Sequence, residues 1–292
     1  VTTLGIDIGG TAVKAALLGP DGASRTSVSA AYTRPDRQQL RSALRQAVGE
    51  VSLEGVRSVG LCVPGRRAPS GGCVRLSVNV PGLEGYPFDQ IVTDSVGRSL
   101  PVRVCSDAEA ATIDAARDHP NARRVLGIAL GTGVGASLVE QGRPLRLGQG
   151  TIGHLGQVDI GLLPGIEPPG PIGPDGGRNS LEAYFGVAAL RDRFGPEFSE
   201  VLPRLPVSDP ALLALVRAVR IALAVYTPDL VLVLGGLGLA LKAQREQIDA
   251  AIRRDLTRIA PSGWTLEFGR SRFHAAMGAA RLAVEFSDIV EG

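Results

Sequence analysis

The sequence predicts an α/β protein built as two related lobes. Two observations carry that prediction: a strand, glycine turn and strand that occur twice, and an alternation of short apolar strands with amphipathic helices around each copy. The first copy reads Leu4-Gly5-Ile6-Asp7-Ile8-Gly9-Gly10-Thr11 and runs on through residues 12–18. The second reads Leu126-Gly127-Ile128-Ala129-Leu130-Gly131-Thr132-Gly133 and runs on through residues 134–139. Chance similarity between two glycine-containing hairpins is the competing explanation.

After the first hairpin, Leu40, Ala43, Leu44, Ala47 and Val48 give residues 38–51 a helical spacing. Residues 56–63 read as a buried strand, and 101–105 as another that leads into a helix over 107–118. Asp209-Pro210 is a helix start, with a capping side chain followed by proline at the first helical position. That helix should end before Pro228, and the strand 230–234 is stopped by Gly235-Gly236. A last helix is expected over 274–285. The polar stretch 118–124 and the repeat together put a boundary near 113–122, giving lobes 1–115 and 116–292, with the last helix able to pack back onto the first. Residues 161–177 hold Pro164, Pro168, Pro169, Pro171 and Pro174 among glycines and read as a stiff loop.

Composition narrows the function classes. With 292 residues, 44% hydrophobic content and a net charge of +2, the chain suits a globular protein with no strong field for nucleic acid or anionic lipid. Lys14 and Lys242 are the only lysines, and the scattered arginines are matched by acids, as in a protein from a GC-rich bacterial genome. Cys62, Cys73 and Cys105 fit neither a zinc spacing nor a disulfide framework, and read as reduced thiols in a cytoplasmic protein. No secretory leader is expected, because the chain opens on a strand. The longest helical apolar stretch, 211–226, is interrupted by Arg217 and Arg220, which argues for a packed helix.

The turns suggest the chemistry. Leu4, Ile6 and Ile8 share one face of the first strand, leaving Asp7 on the other, where a carboxylate needs a partner or a cation. Gly9-Gly10-Thr11 leaves backbone N–H groups uncovered, so they can approach phosphate oxygens, and Asp7 could orient magnesium-bound water beside them. A tight hairpin with a structurally paired Asp7 is the plainer reading. Gly131-Thr132-Gly133-Val134-Gly135 suits a backbone lying against a ligand, and Gly235-Gly236 could admit a purine and its ribose. One nucleotide explains all three turns. Asp107, after a strand and opening a helix, is the candidate general base for phosphoryl transfer to an alcohol. Ser106-Asp107-Ala108-Glu109 also reads as a capping box, with Ser106 as cap, and the two roles are compatible.

At these residues the chain resembles the ROK family of bacterial sugar kinases and repressors. Asp7-Ile8-Gly9-Gly10-Thr11 with Lys14 is similar to the family's first phosphate motif, residues 130–135 to the second, and Leu234-Gly235-Gly236 to its adenosine region. Asn79-Val80-Pro81-Gly82 is similar to a sugar-contacting Asn-Leu-Pro-Gly segment. Ser106-Asp107-Ala108-Glu109-Ala110-Ala111 falls on Asn-Asp-Ala-Asn-Ala-Ala, whose Asp is the base. Leu181-Glu182-Ala183-Tyr184 matches the segment whose Glu holds a sugar hydroxyl.

The resemblance implies a two-lobed actin-like ATPase (ribonuclease H-like) fold with an interlobe active-site cleft. It also implies ATP and Mg2+ as cofactors, a sugar-like acceptor, attack by a terminal hydroxyl, and a homodimer. The family's structural zinc is not expected: its histidine falls on Gln157, and its cysteines fall near Gly173, Asp175 and Ser180. Ser106 in place of Asn, His154 in place of Glu and Gln157 in place of His also alter the sugar pocket. Imidazole offers one acceptor and one donor where a carboxylate only accepts, so His154 could meet an acidic group on the acceptor, or simply be a surface or packing histidine. The leading expectation is a kinase acting on a hexose, amino sugar or cyclitol. The alternative is a degenerate relative that binds nucleotide or sugar as a sensor. A repressor would carry a DNA-reading segment before the first hairpin, and the hairpin here begins at Leu4.

Overall fold

The computed structural model describes residues 1–147, 152–161, 170–173 and 176–290. The chain divides into two compact units, one of residues 1–114 with 273–292 and one of residues 115–272.

In the first unit a five-stranded sheet is formed by β1 (Thr2–Ile8), β2 (Val13–Leu18), β3 (Ser24–Val28), β4 (Val56–Cys62) and β7 (Val102–Cys105), in the order β3-β2-β1-β4-β7. The β1–β2–β3 meander is antiparallel, while β4 and β7 are added in parallel. The short strands β5 (Arg66–Arg67) and β6 (Val74–Leu76) pair separately.

One face of this sheet is covered by α1 (Arg37–Gly49) and α2 (Phe88–Val96). Helix α1 starts where it does because Asp36 and Gln39 cap one another's backbone N–H groups, and it buries Leu40, Ala43, Leu44, Ala47 and Val48. Gly97 ends α2 in the left-handed region, at φ 81°. Next to β7 lies α3 (Asp107–Ala116).

The other face takes the C-terminal helix, α10 (His274–Val290), which runs past the expected end at residue 285. Two strand glycines admit it: a Cβ on Gly5 would lie 1.9 Å from the Ala276 carbonyl oxygen, and one on Gly60 1.9 Å from that of Ala279. Thr3 and Ser58 each donate a hydroxyl hydrogen bond to a carbonyl of the helix, those of Ala280 and Ala283. The chain-order lobe 116–292 thus gives its last helix to the sheet of the first unit.

The second unit repeats the plan. β8 (Arg124–Leu130), β9 (Val134–Glu140), β10 (Arg143–Pro144), β11 (Leu230–Leu234) and β12 (Thr265–Phe268) form a sheet in the order β10-β9-β8-β11-β12. Its pairings are antiparallel, antiparallel, parallel and parallel, the same sequence as in the first sheet. The repeat read from two hairpins therefore extends through a whole sheet. Helices α4 (Leu181–Phe185), α5 (Val187–Phe194), α6 (Phe198–Val201), α7 (Pro210–Tyr226), α8 (Gly235–Ala240) and α9 (Arg245–Arg254) complete the unit. Asp209 caps α7 by accepting from Ala211 N–H at 2.8 Å, as its sequence predicts. No described helix is long and apolar enough to cross a membrane. Most of the proline-rich segment 161–177, including Asp175, lies outside the described residues.

Candidate active site

In the first unit, Asp7 stands directly opposite Lys14 across the β1/β2 hairpin. Facing positions in an antiparallel ladder place side chains within reach, and Lys14 Nζ lies 2.9 Å from Asp7 Oδ2. Asp7 is only 5% exposed, and the cation satisfies the charge that the apolar strand would otherwise isolate. Attraction to Asp7 raises the Lys14 pKa, outweighing the burial that would lower it. A carboxylate oxygen is the donor type that a hard cation takes, so Asp7 fits the Mg2+ expected beside the phosphates.

Asp107 opens α3 at the carboxyl end of β7, just as Asp7 nears the carboxyl end of β1. Ser106 Oγ accepts from Glu109 N–H at 3.1 Å, which is the cap the sequence suggests. Asp107 Oδ1 accepts from Ala108 N–H at 2.8 Å, so the side chain is oriented by its own helix end. The side chain remains accessible, yet desolvation by the protein around it raises its pKa, and the charge of Asp7 raises it further; Ala108 N–H and Lys14 oppose the shift. A carboxylate raised in this way accepts a proton more readily.

Beneath this cluster, Cys62 and Cys105 bring their Sγ atoms to 3.4 Å on adjacent parallel strands, and both are free thiols. Hydrogen bonding to Cys105 and burial push the Cys62 thiol well up. Their separation in sequence conceals this adjacency, which only the β4/β7 register creates.

The Gly9–Thr11 turn does not owe its glycines to left-handed backbone, since neither Gly9 nor Gly10 has positive φ. Gly9 N–H donates to the Ala12 carbonyl at 3.1 Å. The carbonyls of Gly9 and Thr11 are taken by Tyr32, through its hydroxyl at 2.6 Å and its backbone N–H at 2.8 Å. Tyr32 was not legible as a site residue, because no local pattern marks it. Asn79 is half-buried on the loop before a short turn at Pro81–Leu83. That turn is fixed to the start of α1 by Gly82 N–H donating to Pro35 O at 2.9 Å. No hydrogen bond joins Asn79 to the Asp7–Lys14–Asp107 cluster.

In the second unit, Gly131 N–H donates to the Gly133 carbonyl at 3.0 Å, and the Thr132 carbonyl accepts from Val187 N–H at 3.2 Å. Glu182 Oε2 accepts from Val134 N–H at 3.0 Å. A Cβ on Gly133 would lie 2.8 Å from that carboxylate, whereas one on Gly131 would enter open space. Gly156 packs against the Val134 carbonyl from the other side, at 2.4 Å from its ideal Cβ. The turn at Leu155–Gln157, headed by the exposed His154, thereby joins Glu182 at the Gly131–Gly133 turn. Gly235 has φ +82° and packs on the Leu130 carbonyl, 2.3 Å from its ideal Cβ, while Gly236 is open. Gly131, Gly235 and Gly236 thus meet at the carboxyl ends of the parallel strands β8 and β11, where α/β sheets bind ligands.

Paired glycine turns on two sheets of matching strand order define an actin-like ATPase fold. The chain belongs to the ROK family, whose model matches residues 3–285. It is 25% identical over 272 residues to the glucokinase of Thermotoga maritima, covering 81% of this chain and 82% of that one. It is 32% identical over 165 residues to an N-acetyl-D-glucosamine kinase of Erwinia tasmaniensis, about half of each chain (53% and 52%). Among solved structures, the ROK hexokinase of Thermus thermophilus aligns over 100% of both chains with a TM-score of 0.68 and 27% identity.

Proposed function

We propose that this protein is an ATP-dependent kinase that phosphorylates a hydroxyl of a sugar or sugar-like molecule. The observation that carries the proposal is Asp107: an exposed, helix-oriented carboxylate of raised pKa, within electrostatic reach of the Asp7–Lys14 pair. Named relatives phosphorylate glucose or N-acetyl-D-glucosamine, which supports a sugar acceptor.

In this mechanism Asp107 accepts the proton of the attacking hydroxyl and orients its oxygen. The N–H groups of Gly10 and Thr11 and of Thr132 and Gly133 receive phosphate oxygens, Gly9 and Gly131 closing the two turns with their own N–H groups, and Lys14 adds a fixed positive charge. Gly236 leaves room for the adenosine, while Gly235 lets the turn pack on Leu130 beside it. Asp7 would hold Mg2+, which would supply charge neutralisation on the phosphates. Asn79, Ser106, His154 and Glu182 are the acceptor contacts. Glu182 Oε2 accepts from Val134 N–H, which fixes the carboxylate at the Gly131–Gly133 turn. His154, a donor as well as an acceptor, shifts specificity away from that of glucokinase-type relatives.

ADP release with Mg-ATP across hexoses, amino sugars, acidic sugars and cyclitols tests this reading. Turnover dependent on one acceptor is expected. Nucleotide binding with no acceptor-dependent turnover anywhere in the panel would instead support a sensor.

A further inference from the structure

Tyr32 lies in the segment that follows β3, and the segment is built as a strap behind the first glycine turn. Ser29 fastens it to β2, with Val13 N–H donating to Ser29 Oγ at 3.0 Å and Ser29 N–H to Val13 O at 2.9 Å. Ala30 N–H donates to Gln46 Oε1 of α1 at 2.8 Å. From this fixed position the Tyr32 hydroxyl donates to the Gly9 carbonyl at 2.6 Å, and its backbone N–H to the Thr11 carbonyl at 2.8 Å.

Peptide planarity converts these bonds into a direction. There are no cis peptide bonds among the described residues, so each carbonyl of this turn points opposite to the N–H of the next residue. Holding the Gly9 carbonyl on the phenol aims Gly10 N–H away from Tyr32, and holding the Thr11 carbonyl aims Ala12 N–H likewise. Neither N–H donates to any described residue. The second unit uses the same device without a side chain, since Val187 N–H holds the Thr132 carbonyl and so aims Gly133 N–H.

We infer that Tyr32 is a positioning residue for nucleotide phosphates, its hydroxyl fixing the direction in which the first glycine turn presents the Gly10 N–H donor. The inference rests on the reading of that turn as a phosphate site. Burial, with the nearby Asp7 charge, raises the pKa of the phenol and keeps it in its donating form.

The test is Tyr32→Phe in the full chain, which keeps the ring and removes only the donor. Affinities for Mg-ADP and for adenosine are measured side by side by calorimetry, with the thermal midpoint recorded. Loss of one neutral hydrogen bond predicts Mg-ADP binding weakened about 2- to 10-fold, adenosine binding unchanged, and a raised KM for ATP with an unchanged KM for the acceptor. Equal weakening of both ligands would make Tyr32 a general structural residue and overturn the inference, as would unchanged Mg-ADP affinity. A wild-type protein that binds adenosine and Mg-ADP equally would instead overturn the phosphate-site reading itself. Tyr32→Leu, which also removes the ring, should weaken Mg-ADP at least as much as Tyr32→Phe.

Discussion

Asp107 illustrates how a neighbour tunes a carboxylate. Its pKa is raised by desolvation and then by Asp7, so, if Asp107 is the proposed base, its deprotonated form is lost at a pH above the ordinary aspartate value. The profile of kcat/KM should therefore show an acid limb above pH ~4, the ordinary value for aspartate. Lys14 opposes the shift, so any residual activity of Lys14→Met should show that limb moved to higher pH. A limb at or below the ordinary value would contradict this assignment. Asp107 was legible because a strand followed by a helix start places a residue at a sheet's carboxyl end. The Asp7–Lys14 pair needed only the hairpin register. The Cys62–Cys105 contact was not legible, because it depends on two strands brought together across forty-three residues of chain.

Helix α10 shows what pattern reading leaves out. Its periodicity announces a helix but not the sheet that receives it; that choice is made by Gly5 and Gly60, whose missing side chains let the helix backbone touch the strands. Gly60→Ala should destabilise the protein by about 1–3 kcal/mol, the usual cost of overpacking, read as a lower denaturant midpoint. The same helix is tied to α3 by Asp114, which lies 2.7 Å from both His274 Nδ1 and Arg281 Nε. Burial alone would raise the Asp114 pKa, but the hydrogen bonds from His274 and Arg281 prevail and lower it. A depressed folded-state pKa means the stabilisation is complete above the unfolded value of about 3.9 and fades as pH falls through the folded one. Asp114→Asn should therefore cost about 1.5–3 kcal/mol near neutrality, and the difference from wild type should shrink in strongly acidic urea titrations.

Two sheets of the same strand order, each carrying a glycine turn, make the molecule a duplicated frame. The two-lobe plan was legible because hairpins carry their register in short sequence. Glu182 and the Leu155–Gln157 turn meeting at Val134 were not, since both contacts run through backbone atoms that no side-chain pattern reports. Chelation by EDTA should stop turnover by removing Mg2+ while leaving the thermal midpoint unchanged. Stoichiometric zinc in the purified protein, with a midpoint lowered by EDTA, would contradict the expectation that no zinc holds the fold. The most direct test of the kinase assignment compares kcat of Asp107→Asn with wild type on the best acceptor, with nucleotide affinity measured in parallel. A loss of about 10²- to 10⁴-fold with nucleotide affinity retained is the predicted result. An Asp107→Asn variant that turns over at the wild-type rate would contradict it.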